Sequence, residues 1–162
     1  MMQCGNLGKF VIVGSVGLYS ILSLYLYSIK MRTITKPQYL PVAAEVTIND
    51  FKIDLEVANT PKTRKIGLML RPSLPDERGM LFEFKPPQRV KLWMKNCLIS
   101  LDIIFIRNSI VQGLVPNAPP CYTDKCSIYD SGVIVDSVIE LKGGRANELD
   151  LKVGDRLTVT TY

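Results

Sequence analysis

Among its 162 residues the chain has no histidine. That removes the side chain that titrates nearest neutrality, the base of Ser-His and Cys-His nucleophile pairs, and the commonest metal ligand. Acid–base chemistry is left to carboxylates, lysines and thiols. Cysteine is scarce too, with four in the chain. Past the N-terminal stretch only Cys97, Cys121 and Cys126 remain, and no imidazole can complete a zinc site around them. The four-residue gap between Cys121 and Cys126 is not the redox C-x-x-C spacing. Neither a metal nor a cofactor is expected. Internal repeats and low-complexity tracts are missing. The basic residues gather on no single helix and accompany no recognition motif, which argues against a nucleic-acid partner.

What is present is unevenly spread. Residues 10–29 are twenty in a row without a charge, bounded by Lys9 on one side and by Lys30 and Arg32 on the other. As a helix they would span about 30 Å, the hydrocarbon thickness of a bilayer. Tyr25 and Tyr27 sit where an aromatic belt would. A cleaved signal is the competing reading, but its small-residue site, Val42-Ala43-Ala44, lies more than ten residues beyond the apolar run. A buried globular helix would be shorter and capped. The expected layout is therefore a tail over 1–9, a transmembrane helix over 10–29, a linker over 30–41 and a β-rich domain over 42–162. Gly14, Ser15, Gly17, Ser20 and Ser23 would let a second membrane helix approach closely, although such residues are also simply tolerated there.

Net charge is +5. Residues 62–95 carry nine basic against three acidic residues, and residues 96–162 carry six against eight. A basic face could meet anionic lipid headgroups or an acidic partner; it could equally be a solvated surface.

Residues 42–48 and 51–57 alternate about Asn49-Asp50 and predict a β-hairpin, with Phe51, Ile53, Leu55 and Val57 inward and Lys52, Asp54 and Glu56 outward. Thr60-Pro61 opens a helix through Leu70 that Pro72 stops, with Gly67 inside it for close approach to a strand. Further strands are predicted over 79–84, 89–96, 101–107, 110–115, 132–141 and 156–161, with a turn at Pro86-Pro87. The fold class expected is mainly β: a compact sandwich or barrel of about eight strands with one or two short helices.

One stretch stands out. In R-V-K-L-W-M-K-N, Val90, Leu92 and Met94 point one way, and Lys91, Trp93 and Lys95 the other. The only tryptophan thus lies on the face that a core-building strand leaves polar. Around it are Gly67-Leu68-Met69 with Arg71, Gly79-Met80-Leu81-Phe82, Trp93-Met94-Lys95-Asn96 and Leu101-Asp102-Ile103-Ile104-Phe105. Pro120-Cys121, Cys126, Tyr129, Glu140-Leu141 with Gly144, and Gly154-Asp155 follow. In this order the runs resemble the domain of unknown function 192, also catalogued as uncharacterised protein family 0127, over roughly residues 42–161. The resemblance implies a small β-rich fold and no particular reaction. Where that family usually has Thr after the Asn, this chain has Cys97.

The polar residues inside those runs are the candidate ligand-binding set: Arg71, Trp93, Lys95, Asn96, Asp102 and Glu140. Arg71 and Lys95 would bind an anion, Trp93 would stack on a ring or sugar, and Asp102 and Glu140 would orient hydroxyls or amines. Asp102, buried in L-D-I-I-F-I, would otherwise be an anchor paired with Lys95, Arg71 or backbone N–H groups. No catalytic residue is assigned. Cys97 reads as a small buried residue, and Cys4 as either lipidated or free. Cys121 and Cys126 read as a disulfide pinning a long loop, with reduced thiols or metal and redox chemistry as alternatives.

A disulfide would place the domain on the oxidising side of a membrane, in a periplasm, a lumen or an intermembrane space. Lys30, Arg32 and Lys36 favour the opposite orientation, but three basic residues are a modest bias. The functional expectation is a single-pass, membrane-anchored, non-catalytic binding or accessory domain. Its partners would be membrane lipid and other membrane proteins, met through the N-terminal helix and the basic face, as in a subunit of a larger complex. The alternative is an extracytoplasmic enzyme, or a carbohydrate or envelope binder, using Asp102 and Glu140 across a cleft.

Overall fold

A computed structural model describes residues 34–162, of which 36–162 form one unit. The expected tail, the membrane segment 10–29 and Cys4 lie outside the described residues. Among the described residues no helix is long and apolar enough to cross a membrane.

Strands β1 (Val42–Ile48) and β2 (Phe51–Ala58) form the expected hairpin. Asn49 and Asp50 both take positive φ, 45° and 69°, the left-handed pair that a type I′ turn requires. Its faces differ from the alternation at two places. Phe51 is 54% exposed at the hairpin tip, under the guanidinium of Arg145, and Glu56 is buried because Arg71 meets it there.

Thr60 caps helix α1 (Pro61–Ile66): its side chain accepts the N–H of Thr63, and the Thr63 hydroxyl accepts the N–H of Thr60. The helix ends at Gly67 rather than running to Leu70. Gly67 has φ of 50°, and a Cβ there would sit 3.3 Å from the Phe82 ring. The helix therefore stops where the backbone must press against a strand, which only glycine allows.

That strand, β3 (Arg78–Trp93), runs parallel to β2, with α1 as the crossover that a parallel pair needs. It fuses the two strands expected over 79–84 and 89–96. Pro86-Pro87 makes no turn. The Lys85–Pro86 bond is cis, and the register against the neighbouring strand shifts between Glu83 and Gln88. An irregularity suits residues that have no N–H for the ladder. After it come β4 (Leu101–Arg107), β5 (Ile110–Ala118), β6 (Ile128–Lys142), the short helix α2 (Arg145–Glu148) and β7 (Thr158–Thr161).

The seven strands form one sheet in the order β5-β4-β6-β3-β2-β1-β7. It curls until its ends nearly meet: Ile110 makes an isolated bridge with Arg156, and the Leu157 N–H reaches the Ser109 carbonyl at 2.8 Å. The ladder does not continue from β5 to β7, so the curled sheet is neither a closed barrel nor a two-sheet sandwich. Both faces are buried. Ile53, Leu55, Leu81, Ile104 and Ile139 fill one; Met80, Phe82, Ile103, Phe105 and Val138 fill the other, roofed by Leu68, Leu74 and Met94. β4 contributes to both cores, which accounts for its consecutive apolar residues Ile103–Ile106.

Candidate functional site

Asp102 is fully buried near the start of β4. Its Oδ1 accepts the N–H groups of Asn117 (2.6 Å) and Gly144 (2.9 Å), and its Oδ2 that of Ala146 (2.6 Å). It anchors the loop that opens α2, with backbone rather than Lys95 or Arg71 as partner. This carboxylate opens on no ligand space. Nor does it face Glu140: in the β4–β6 ladder Asp102 pairs with Leu141, and Glu140 with Ile103. Cross-strand partners share a face and neighbours alternate, so the two carboxyls point to opposite sides of the sheet. The cleft expected between them is absent.

Arg71 is likewise engaged inside the fold. It ion-pairs with buried Glu56, donates to the Gln38 carbonyl at 2.6 Å and lies 3.9 Å from the Tyr39 ring centre. Glu56 also accepts the Leu40 N–H at 2.7 Å, and Gln38 donates to the carbonyls of Thr63 and Gly67. The end of the expected linker is thus fastened to the domain. Asn96, at φ 61°, works through its backbone: its N–H donates to the Cys121 carbonyl, and its carbonyl accepts from Leu70. Lys95 pairs with exposed Asp124 and stands 5.7 Å from the Trp93 ring centre. Cys121 and Cys126 form a disulfide.

Trp93 and Glu140 are brought together. Both line a cavity of about 170 Å³ between α1, β3 and β6, with Gly67, Met69, Phe82 and Cys97 as further walls. Glu140 is 7% exposed, and its carboxyl accepts and donates no hydrogen bond among the described residues. No fully enclosed side-chain N or O there lacks a partner, so the oxygens of Glu140 reach the cavity. Burial pushes its pKa up to about 8. Burial, then the charge of Glu140, raises the neighbouring Cys97 thiol to about 12, far from a nucleophilic thiolate. Trp93 is 48% exposed at the rim. Arg64, Lys65 and Lys91 complete it.

The basic run that sequence counting set apart is largely neutralised by folding. Arg78, Lys85, Arg89, Lys91 and Lys95 pair with Asp54, Glu83, Asp130, Asp130 and Asp124. Lys65 pairs with no carboxylate among the described residues. Sequence reasoning passed over Lys65, Lys91, Met69 and Phe82 as pocket residues. The one available signal was a basic pair, Arg64-Lys65, in the last turn of a helix that ends at a family-matching glycine.

A family model described as DUF192, an uncharacterized ACR, matches residues 44–159. A solved structure from Sinorhizobium meliloti 1021, described as a candidate transcription regulator, is 32% identical, with a TM-score of 0.67 over 75% of this chain and 98% of that one. A Novosphingobium aromaticivorans DSM 12444 protein of unknown function is 31% identical, with a TM-score of 0.65 over 77% of this chain and 94% of its own. No curated protein matches the chain.

Proposed function

The chain belongs to the DUF192 family, and from that premise we propose that it is a non-catalytic small-molecule-binding domain, tethered to a membrane through residues 10–29 on the oxidising side. One observation carries the binding reading: the Glu140 carboxyl is buried without a hydrogen-bond partner among the described residues and opens on a cavity beside Trp93. A buried polar group left unpaired costs stability, and such costs are retained where a ligand needs the group. Chemistry is disfavoured by the lack of histidine, by a thiol held protonated and by an Asp102 already saturated with N–H groups.

The uncharged twenty-residue stretch supports the tether, and the Cys121–Cys126 disulfide supports an oxidising compartment. In this reading Gly14, Ser15 and Gly17 pack against other membrane proteins, making the chain an accessory subunit.

Glu140→Met tests the binding role without knowledge of the ligand. It is expected to raise the unfolding temperature, by about 1–2 kcal/mol of stability, because it removes a desolvated carboxyl and keeps the volume. A lowered unfolding temperature would mean that Glu140 supports the fold, and would sink the reading. The tether is checked separately: the full chain should stay in the membrane pellet through alkaline carbonate extraction, and its release would end that part.

A further inference from the structure

We propose that the occupant of this pocket is a small, ring-sized organic anion, its charge held between Lys65 and Lys91 at the mouth and a hydrogen-bond-accepting atom received by Glu140 on the floor. The inference rests on the binding reading above and adds the class of ligand.

Size comes first. A cavity of about 170 Å³ is close to the roughly 150 Å³ void known to admit a benzene ring. Its walls suit such a body: Leu92, Met69 and Phe82 are apolar, and the indole of Trp93 offers a face for stacking.

Charge then decides which end points where. Three basic side chains line the mouth, in unequal states. Arg64 is engaged, donating to the carbonyls of Asn59 (2.8 Å) and Glu83 (2.9 Å). Lys91 reaches Asp130 only at 3.4 Å, while Arg89 holds the same carboxylate in two hydrogen bonds at 2.7 and 3.0 Å. Lys65 has no carboxylate partner among the described residues. Lys65 is thus open to an incoming anion, and Lys91, held by Asp130 at the longer distance, can exchange that partner for it. A cationic ligand could satisfy Glu140, but it would have to sit between Lys65 and Lys91.

The floor fits the same ligand. The charged and titratable groups facing Glu140 are Cys97 after β3, Lys91 on β3, and Arg64 and Lys65 on α1. With its pKa near 8, Glu140 is mostly neutral at pH 7 and carries a proton it can donate to a ring nitrogen or carbonyl. Above that pH it becomes a second anion in the pocket.

The test uses the full chain in mild detergent and the resonance of its single indole N–H, which belongs to Trp93. Nicotinate is the probe: a ring with a carboxylate and an acceptor nitrogen, neither titrating between pH 7 and 9. Saturable shifts of that resonance are expected. Affinity should fall about tenfold from pH 7 to pH 9, as the neutral fraction of Glu140 drops. Glu140→Gln should remove that pH dependence. Lys65→Gln with Lys91→Gln should weaken binding about tenfold or more with an unchanged amide spectrum.

Binding of picolylamine, the amine counterpart, in place of nicotinate would overturn the anion inference and leave the binding reading standing. No shift from either compound at millimolar concentration, or pH-independent nicotinate binding, also overturns it. The unfolding temperature of Glu140→Met then judges the broader reading on its own.

Discussion

Asp102 and Glu140 sit on adjacent strands, one ladder step apart, and meet opposite environments. Three backbone N–H groups surround Asp102 and replace the water it lost. Glu140 has only burial, so its proton stays on until about pH 8. This has a consequence for stability. The unfolded chain releases the proton near 4.5, and the folded chain near 8. Between those values the folded state holds one proton more than the unfolded state, so stability falls as pH rises. The penalty is absent below about pH 4.5, grows through the window and is complete above pH 8, on the order of a few kcal/mol. Denaturant unfolding at a series of pH values should show this decline in the wild type. Glu140→Gln, which cannot ionise, should lose it, and an identical slope in both proteins would place the titration elsewhere.

Among the elements, α1 decides the shape of the pocket, and Gly67 decides where α1 ends. The six-residue helix is too short to be stable by itself and depends on its caps and on packing. At one end Thr60 and Thr63 cap each other; at the other, Gln38 holds the carbonyls of Thr63 and Gly67. Gly67→Ala would place a methyl group against Phe82 in a left-handed backbone. The expected loss is about 1–2 kcal/mol from the backbone alone, with nicotinate binding weakened because α1 and the Phe82 wall must separate. A chemical-denaturation midpoint equal to wild type would show that the loop absorbs the methyl group. The Thr60-Pro61 start of this helix was legible, because a cap is a matter of near neighbours. Its early end was not, because the Phe82 ring that demands glycine lies fifteen positions along the chain.

Across the whole molecule, the curled sheet puts β3 at its centre, β4 and β6 among its interior strands, and β5 and β7 at its edges. β4 is sealed on both faces, whereas β7 is four residues long and mostly exposed. Hydrogen exchange should therefore be slowest at the amides of Ile103–Ile106 and faster by orders of magnitude along Thr158–Thr161. Comparable rates in the two strands would mean that the sheet opens as one unit, with no hierarchy from centre to edge. Much of this architecture could be read from alternation, turn residues and caps: the hairpin, the positions of β4 and β5, and the outward Trp93 strand. All are determined by the chain itself, since pleat period and backbone preference act over a few residues. Strand merging at Pro86-Pro87, the Arg71–Glu56 pair and the separation of Asp102 from Glu140 were decided only in three dimensions. The same residue type anchors a loop in one place and lines a cavity in another. The difference is which N–H groups and charges the fold brings within reach of each carboxyl.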